Sequence, residues 1–153
     1  MLYKLISGGQ TGVDRAALDV GLALGLAVGG WCPKGRRAED GIIPDRYPLV
    51  ETPERSYQNR TRRNIEDSDG TLILNRGKLD GGTALTADLA RQIGKPCLVV
   101  ALEVGIEPAT FRDWLAENHI TVLNVAGPRA SKRPGVYAAA CRLLDTLLQN
   151  SGA

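Results

Sequence analysis

Two glycine segments carry the chemistry this sequence offers. The first, Ser7-Gly8-Gly9-Gln10-Thr11-Gly12, follows a short apolar run, Leu2 to Ile6, and precedes a helical pattern. Glycine lets the backbone turn tightly and lets a ligand approach the amides closely. A helix starting there presents unpaired N–H groups and the positive end of its dipole, which together suit an anion. Gln10 and Thr11 add side-chain donors, and Asp14 stands in the first helical turn. Ser7, Gly8, Gly9, Gln10, Thr11, Gly12 and Asp14 are therefore candidate ligand-binding residues. The segment lacks the lysine of a nucleoside-triphosphate loop and the G-x-G-x-x-G of a dinucleotide site, so it supports an anion site without specifying ATP or NAD. Thr11 with Asp14 also fits a helix capping pair, and a plain strand-to-helix turn is the structural alternative.

A second segment of the same kind, Gly81-Gly82-Thr83, follows Leu79-Asp80 and opens another helical pattern. Thr83 is the expected cap of that helix. Two such turns could hold two anionic groups, or the ends of one extended ligand. Basic residues accompany them. Lys34, Arg36 and Arg37 lie in the stretch Trp31-Cys32-Pro33-Lys34-Gly35-Arg36-Arg37-Ala38-Glu39-Asp40-Gly41, and Arg60, Arg62 and Arg63 fall on a later helix. Guanidinium groups suit phosphate through forked hydrogen bonds. Helical spacing puts Arg60 and Arg63 on one face and turns Arg62 away. Lys34, Arg36 and Arg60 join the candidate set. Replacing Thr11 and Arg36 by alanine is expected to weaken anion binding with little loss of fold. Asp14, Asp40 and Asp80 could bind a cation or act as bases, and residue types alone do not choose among these roles. Cys32 beside Pro33 could be a nucleophile or soft ligand, but no Cys-x-x-Cys or Cys/His cluster supports it, and no metal site is expected. His119, the only histidine, reads as a surface or capping residue at a helix end. A Cys-His dyad or Ser-His-Asp triad is therefore disfavoured, and no catalytic residue is assigned.

Such residues need a scaffold that brings loops after strands to one edge. Strand and helix patterns alternate along the whole chain. Apolar runs at Leu2–Ile6, Leu26–Trp31, Thr71–Leu74, Cys97–Leu102 and Thr121–Val125 read as strands, nearly continuous in apolar residues as expected when both faces are covered. Between the first two, Val13, Ala16, Ala17, Val20 and Leu24 share one helical face. Thr52-Pro53 resembles a helix start, with the helix running to about Asp67. Further helices follow from about Ala84, from Pro108 and from near Pro134, the last burying Val136, Leu143, Leu144, Leu147 and Leu148. The pattern predicts an α/β fold: a doubly wound, parallel five-stranded sheet with helices on both faces. An order of 2-1-3-4-5 would put the two glycine segments on neighbouring strands at the switch point, where such sheets bind ligands. The polar stretch 32–51 is long for a loop in a compact domain, which points to function or mobility.

At 153 residues, one domain over 1–153 is expected. A net charge of +2, with 24% charged residues, argues against a global field for nucleic acid or membranes. Three cysteines without paired spacing argue against a disulfide framework and for a reducing compartment. With no signal peptide and no apolar run of spanning length, the expected location is cytoplasmic.

The set Ser7 to Asp14, Gly30-Trp31-Cys32-Pro33-Lys34-Gly35-Arg36, Glu39-Asp40-Gly41, Asn59-Arg60-Thr61, Asp67-Ser68-Asp69-Gly70-Thr71, Gly81-Gly82-Thr83 and Asn124-Val125-Ala126-Gly127-Pro128-Arg129 resembles the molybdenum carrier family over residues 3 to about 148. That family is similar to the molybdenum cofactor carrier proteins of algae and cyanobacteria. The resemblance implies a Rossmann-like fold related to the lysine-decarboxylase-like, or phosphoribohydrolase, group. It further implies binding of molybdenum cofactor, a phosphorylated pterin with a dithiolene-held oxo-metal, a molybdoenzyme as recipient, and homo-dimers or tetramers. One departure stands out. Phosphoribohydrolases carry a glutamate soon after their glycine turn, whereas here Gly81-Gly82-Thr83 continues Ala84-Leu85-Thr86-Ala87-Asp88. This favours binding over catalysis. A sensor or hydrolase for a nucleotide or ADP-ribose-like ligand is the alternative.

Overall fold

The computed structural model describes residues 2–151, so Met1, Gly152 and Ala153 lie outside the described residues. In chain order the elements are β1 (Lys4–Ile6), α1 (Val13–Ala23), β2 (Ala27–Gly29), β3 (Trp31–Cys32), β4 (Arg37–Ala38), β5 (Gly41–Ile42), β6 (Val50–Glu51), α2 (Tyr57–Glu66), β7 (Gly70–Asn75), α3 (Gly81–Ile93), β8 (Cys97–Ala101), α4 (Pro108–Glu117), β9 (Val122–Ala126) and α5 (Val136–Ser151). Five strands form one parallel sheet in the order β2-β1-β9-β7-β8. Helices α1, α4 and α5 pack together on one face, and α2 and α3 pack together on the other. The fold is the predicted α/β, Rossmann-like arrangement.

The strand order differs from the expected 2-1-3-4-5. Counting only the strands of the large sheet, it is 2-1-5-3-4: the last strand, β9, inserts between β1 and β7. Local pattern misleads here, because Cys97–Leu102 is the more continuously apolar run and looks like an interior strand. Apolarity reports covered faces and says nothing of which strand lies on each flank. In the fold, Leu123, Asn124 and Val125 of β9 are buried, while β8 is the edge and its Val99 is 44% exposed. The two glycine segments are consequently separated by β9 and by the loop that follows it.

The larger core forms under α1, α4 and α5. It joins Leu5, Leu72, Leu74, Leu123 and Val125 of the sheet to Val13, Ala16, Ala17 and Val20 of α1 and to Val136, Leu144, Leu147 and Leu148 of α5. Helical periodicity placed these α1 and α5 residues inward, together with Leu24 and Leu143, which are partly buried and pack against the same core. A smaller cluster of Ile65, Leu89 and Ala90 seals the other face. Among the described residues no helix is long and apolar enough to cross a membrane.

Within residues 31–51, Arg36 ties together the segment from Ile43 to Leu49. Arg36 takes a positive φ of 52° and points its guanidinium back into the loop. There it donates to the carbonyls of Ile43 (3.1 Å), Leu49 (3.1 Å), Pro44 (2.8 Å) and Tyr47 (3.0 Å). Beneath it, Cys32, Ile43, Tyr47 and Leu49 pack on Leu18 of α1. The same region corrects the expected start of α2. Trp31–Cys32 pairs in parallel with Val50–Glu51, and the Thr52 amide donates to the Cys32 carbonyl at 2.8 Å, so Thr52 belongs to that small ladder. Its hydroxyl donates to the Glu54 carbonyl, and the helix begins at Tyr57, capped by Ser56.

Candidate functional site

A cleft of about 140 Å³ opens at the carboxyl ends of β1, β9 and β7. Its walls come from four places: Gly8, Gln10 and Asp14 between β1 and α1; Tyr57, Arg60, Thr61 and Asn64 on α2; Gly82, Thr83 and Thr86 at the start of α3; and Asn124 to Arg129 with Lys132 after the central strand. Of the predicted residues, Gly8, Gln10, Asp14, Arg60, Gly82 and Thr83 meet here. Ser7, Gly9, Thr11, Gly12, Lys34, Arg36, Asp40 and Gly81 do not line the cleft.

The first glycine segment directs its donors mainly inward. The Ser7 hydroxyl donates to the Asp14 carbonyl at 2.9 Å, the Gln10 amide to Asp14 Oδ2 at 3.3 Å, the Thr11 amide to Gln10 Oε1 at 3.0 Å, and the Val13 amide to the Pro128 carbonyl at 3.3 Å. Helix α1 begins at Val13 with Gly12 as an N-cap that makes no side-chain bond, and the expected Thr11–Asp14 capping pair does not form. The glycines here serve close packing. Gly12 has φ 82°, and a Cβ on it would lie 2.3 Å from the Pro128 carbonyl oxygen. Gly127 is as constrained, since its Cβ would lie 2.3 Å from the Leu74 carbonyl oxygen and 2.6 Å from Val13 Cγ2. Together they let the loop after β9 press onto the start of α1.

Glu39 locks that contact. Its carboxylate accepts from the Thr11 hydroxyl, the Ser131 amide (3.1 Å) and the Ser131 hydroxyl (2.5 Å), and it pairs with Arg129 Nε at 3.2 Å. Burial works to raise its pKa, but the hydrogen bonds from Ser131 and Thr11 outweigh it and hold the carboxyl below its usual value. Asp40 is engaged elsewhere. It accepts a forked pair of bonds from Arg15, at 3.2 and 3.1 Å, which hold its carboxyl low. Lys34 is exposed. Cys32 is fully buried, and that burial pushes its thiol up.

The start of α3 has the opposite character. Its N-cap, Asp80, makes no side-chain capping bond and is held outward by Lys132 Nζ at 3.0 Å and Arg133 Nη2 at 3.3 Å. Those partners, Lys132 foremost, lower its pKa. Gly82 faces open space, with nothing within 4 Å of where a Cβ would stand. Thr83, the expected cap, lies inside the helix instead. It is 7% exposed, and its hydroxyl has no hydrogen-bond partner among the described residues. The helix thus offers uncapped amides, a buried hydroxyl and a nearby lysine to the cleft, a combination suited to an anionic oxygen group.

Arg60 and Asp14 form the other wall. Arg60 Nη1 donates to the Gly8 carbonyl at 2.9 Å and lies 3.7 Å from Asp14 Oδ2, with its guanidinium 5.4 Å from the Tyr57 ring centre. Asp14 is 6% exposed. Burial pushes its carboxyl up from 3.8 to about 6, against the opposing pull of Arg60, the Gln10 amide and Arg15. Asn64 fixes α2 to β3 by accepting from the Trp31 amide at 2.7 Å and donating to the Trp31 carbonyl at 3.0 Å. Asn124 projects from β9 and donates to its cross-strand neighbour Thr71 Oγ1 at 3.2 Å.

The loop after β9 and Lys132 did not enter the candidate set, because the expected strand order left the last strand remote from both glycine turns. A polar Asn124 within an apolar run, followed by Gly127-Pro128, was the available signal. Among the described residues no group of three or more His, Cys, Asp or Glu side chains could hold a metal ion.

Over residues 5–148 the sequence matches the circularly permutated YpsA SLOG family. The chain belongs to that family. A permuted order accords with the sheet, in which the last strand lies beside the first and the Tyr3 amide donates to the Thr121 carbonyl at 2.8 Å. A crystal structure from Syntrophus aciditrophicus SB, named a "Putative molybdenum carrier protein", is similar throughout: 48% sequence identity, a TM-score of 0.91, 96% of this chain and 95% of that chain covered. No protein of curated description matches the chain.

Proposed function

We propose that this family member binds and carries a small phosphate-bearing ligand in the cleft between α1, α2 and α3, and that the ligand is molybdenum cofactor. The observation that carries the reading is the start of α3, where an approachable Gly82, the unbonded Thr83 hydroxyl and Lys132 face the same space. Arg60 and Arg129 add positive charge to the walls. A phosphate there would take backbone N–H bonds at a helix start and charge-assisted bonds from the basic side chains. The pterin would extend across β9 toward Gly8, Gln10 and Asp14. Molybdenum is cargo in this scheme, held by the dithiolene of the pterin itself, so the absence of a metal-ligand cluster among the described residues is compatible with it. The 48% identical protein is named a molybdenum carrier, which supports a molybdenum-related ligand. A molybdoenzyme would be the recipient.

The test is the ligand itself. Mass spectrometry of the purified protein, with fluorescence of the oxidised pterin, is expected to detect a phosphorylated pterin. Tight binding of a nucleoside phosphate with no pterin affinity would overturn the carrier reading.

A further inference from the structure

The cleft carries one group that a phosphate site does not explain. Asp14 is a carboxylate, it is 6% exposed, and it faces the cleft. Its Oδ2 accepts from the Gln10 amide at 3.3 Å and lies 3.7 Å from Arg60 Nη1. Its Oδ1 has no donor among the described residues. A carboxylate offers about four acceptor positions, and leaving them unfilled in a buried setting is costly. A carboxylate would also repel a phosphate placed against it. Asp14 follows β1, whereas the start of α3 follows β7, and β9 stands between. Two strand spacings separate the two ends by roughly 10 Å. Between them Asn124 spends its Nδ2 on Thr71 and leaves Oδ1 without a donor among the described residues. The α3 end of the cleft thus offers donors, whereas Asp14 Oδ1 at the other end and Asn124 Oδ1 on the floor are acceptors without donors among the described residues, with the Arg60 guanidinium beside Asp14.

We propose that Asp14 is a specificity residue that reads two adjacent N–H donors on the ligand's ring, the 2-amino-4-oxo edge shared by pterins and guanine. The inference rests on the phosphate-binding reading above and adds the ring class. A carboxylate matches two parallel N–H groups as it matches the fork of a guanidinium. Adenine, hypoxanthine and lumazine rings lack that pair, because each has lost the 2-amino group or the neighbouring N–H. A ring without it would leave Asp14 Oδ1 buried without a donor, while Oδ2 keeps the Gln10 amide and Arg60.

Calorimetric titration of the full chain separates the possibilities. The probes are inorganic phosphate, the monophosphates GMP, IMP and AMP, and 6-hydroxymethylpterin phosphate with its 2-oxo lumazine counterpart. The 2-amino compound of at least one pair is expected to bind about tenfold or more tightly than its partner. The pair showing the gap, GMP over IMP or pterin over lumazine, assigns the ring. The Asp14→Asn variant is expected to close the gap, and a gap that persists in a folded variant overturns the role of Asp14. Should the variant fail to fold, the wild-type gap alone decides. Binding of phosphate and all phosphorylated probes with no gap overturns this inference and leaves the phosphate site standing. Failure of every phosphate-bearing probe overturns both.

Discussion

Replacing Asp14 by asparagine should make the protein more stable at neutral pH. Folding raises the Asp14 pKa from 3.8 to about 6, with burial as the cause, so the folded chain holds this proton more tightly than the unfolded chain does. The resulting stabilisation is complete below pH 3.8 and is lost as pH rises through about 6. At about 1.4 kcal/mol per pH unit, the ionised side chain at pH 7.5 costs up to about 3 kcal/mol relative to its protonated form. Asparagine keeps an oxygen to accept from the Gln10 amide and carries no charge to desolvate. The Arg60 attraction across 3.7 Å is already contained in that shift and its bond to the Gly8 carbonyl remains, but the asparagine amide N–H groups must find acceptors of their own. The expected net gain is about 2 kcal/mol at pH 7.5, falling to near zero at pH 4. Urea unfolding of both proteins at the two pH values, followed by tryptophan fluorescence and circular dichroism, measures it. Other carboxylates titrate in both proteins and cancel in the difference. A variant that is less stable at pH 7.5, or whose difference from wild type is the same at both pH values, would refute the reasoning. Confirmation would mean that the cleft keeps a charge that folding alone disfavours.

Three further outcomes follow from particular contacts. Arg36→Ala should cost about 3 kcal/mol in denaturant unfolding, because four loop carbonyls lose a charged donor; an unchanged midpoint would show that residues 36–49 hold themselves. Gly127→Ala should destabilise by about 3 kcal/mol or block folding, since the new methyl would meet the Leu74 backbone; a soluble variant with wild-type melting would contradict the packing. Thr83→Val with Lys132→Ala should weaken binding of inorganic phosphate about tenfold with the circular dichroism spectrum retained, and undiminished titration heats would remove the start of α3 from the site.

Much of the architecture is legible in local pattern. Val13, Ala16, Ala17 and Val20 recur at helical spacing, and each lies in the core under α1. Apolar runs bounded by glycine mark the five strands of the large sheet, and the glycine turns mark loops at the edge where the cleft opens. For the site, Gly8, Gln10, Asp14, Arg60, Gly82 and Thr83 could be named from residue type and position, and they line the cleft. Arg36 could not be read correctly. A loop arginine beside glycines looks the same in sequence whether it faces a phosphate or four carbonyls of its own chain. The expectation that its loss would spare the fold is therefore replaced by a predicted loss of stability.

What the sequence by itself determines is which residues turn inward and the alternation of the main strands and helices, because periodicity and backbone preference act over a few neighbours; the start of α2 is set instead by the pairing of Trp31–Cys32 with Val50–Glu51. The tertiary structure alone decides which strand lies at the centre and which loops meet. Placing β9 between β1 and β7 is a matter of long-range packing. It brings Asn124, Gly127, Arg129 and Lys132 into the gap between two glycine segments that are distant in sequence, and it sets Glu39 across Thr11 and Ser131. The first glycine segment consequently becomes a packed junction with most of its donors satisfied, and the start of α3 becomes the open end of the cleft.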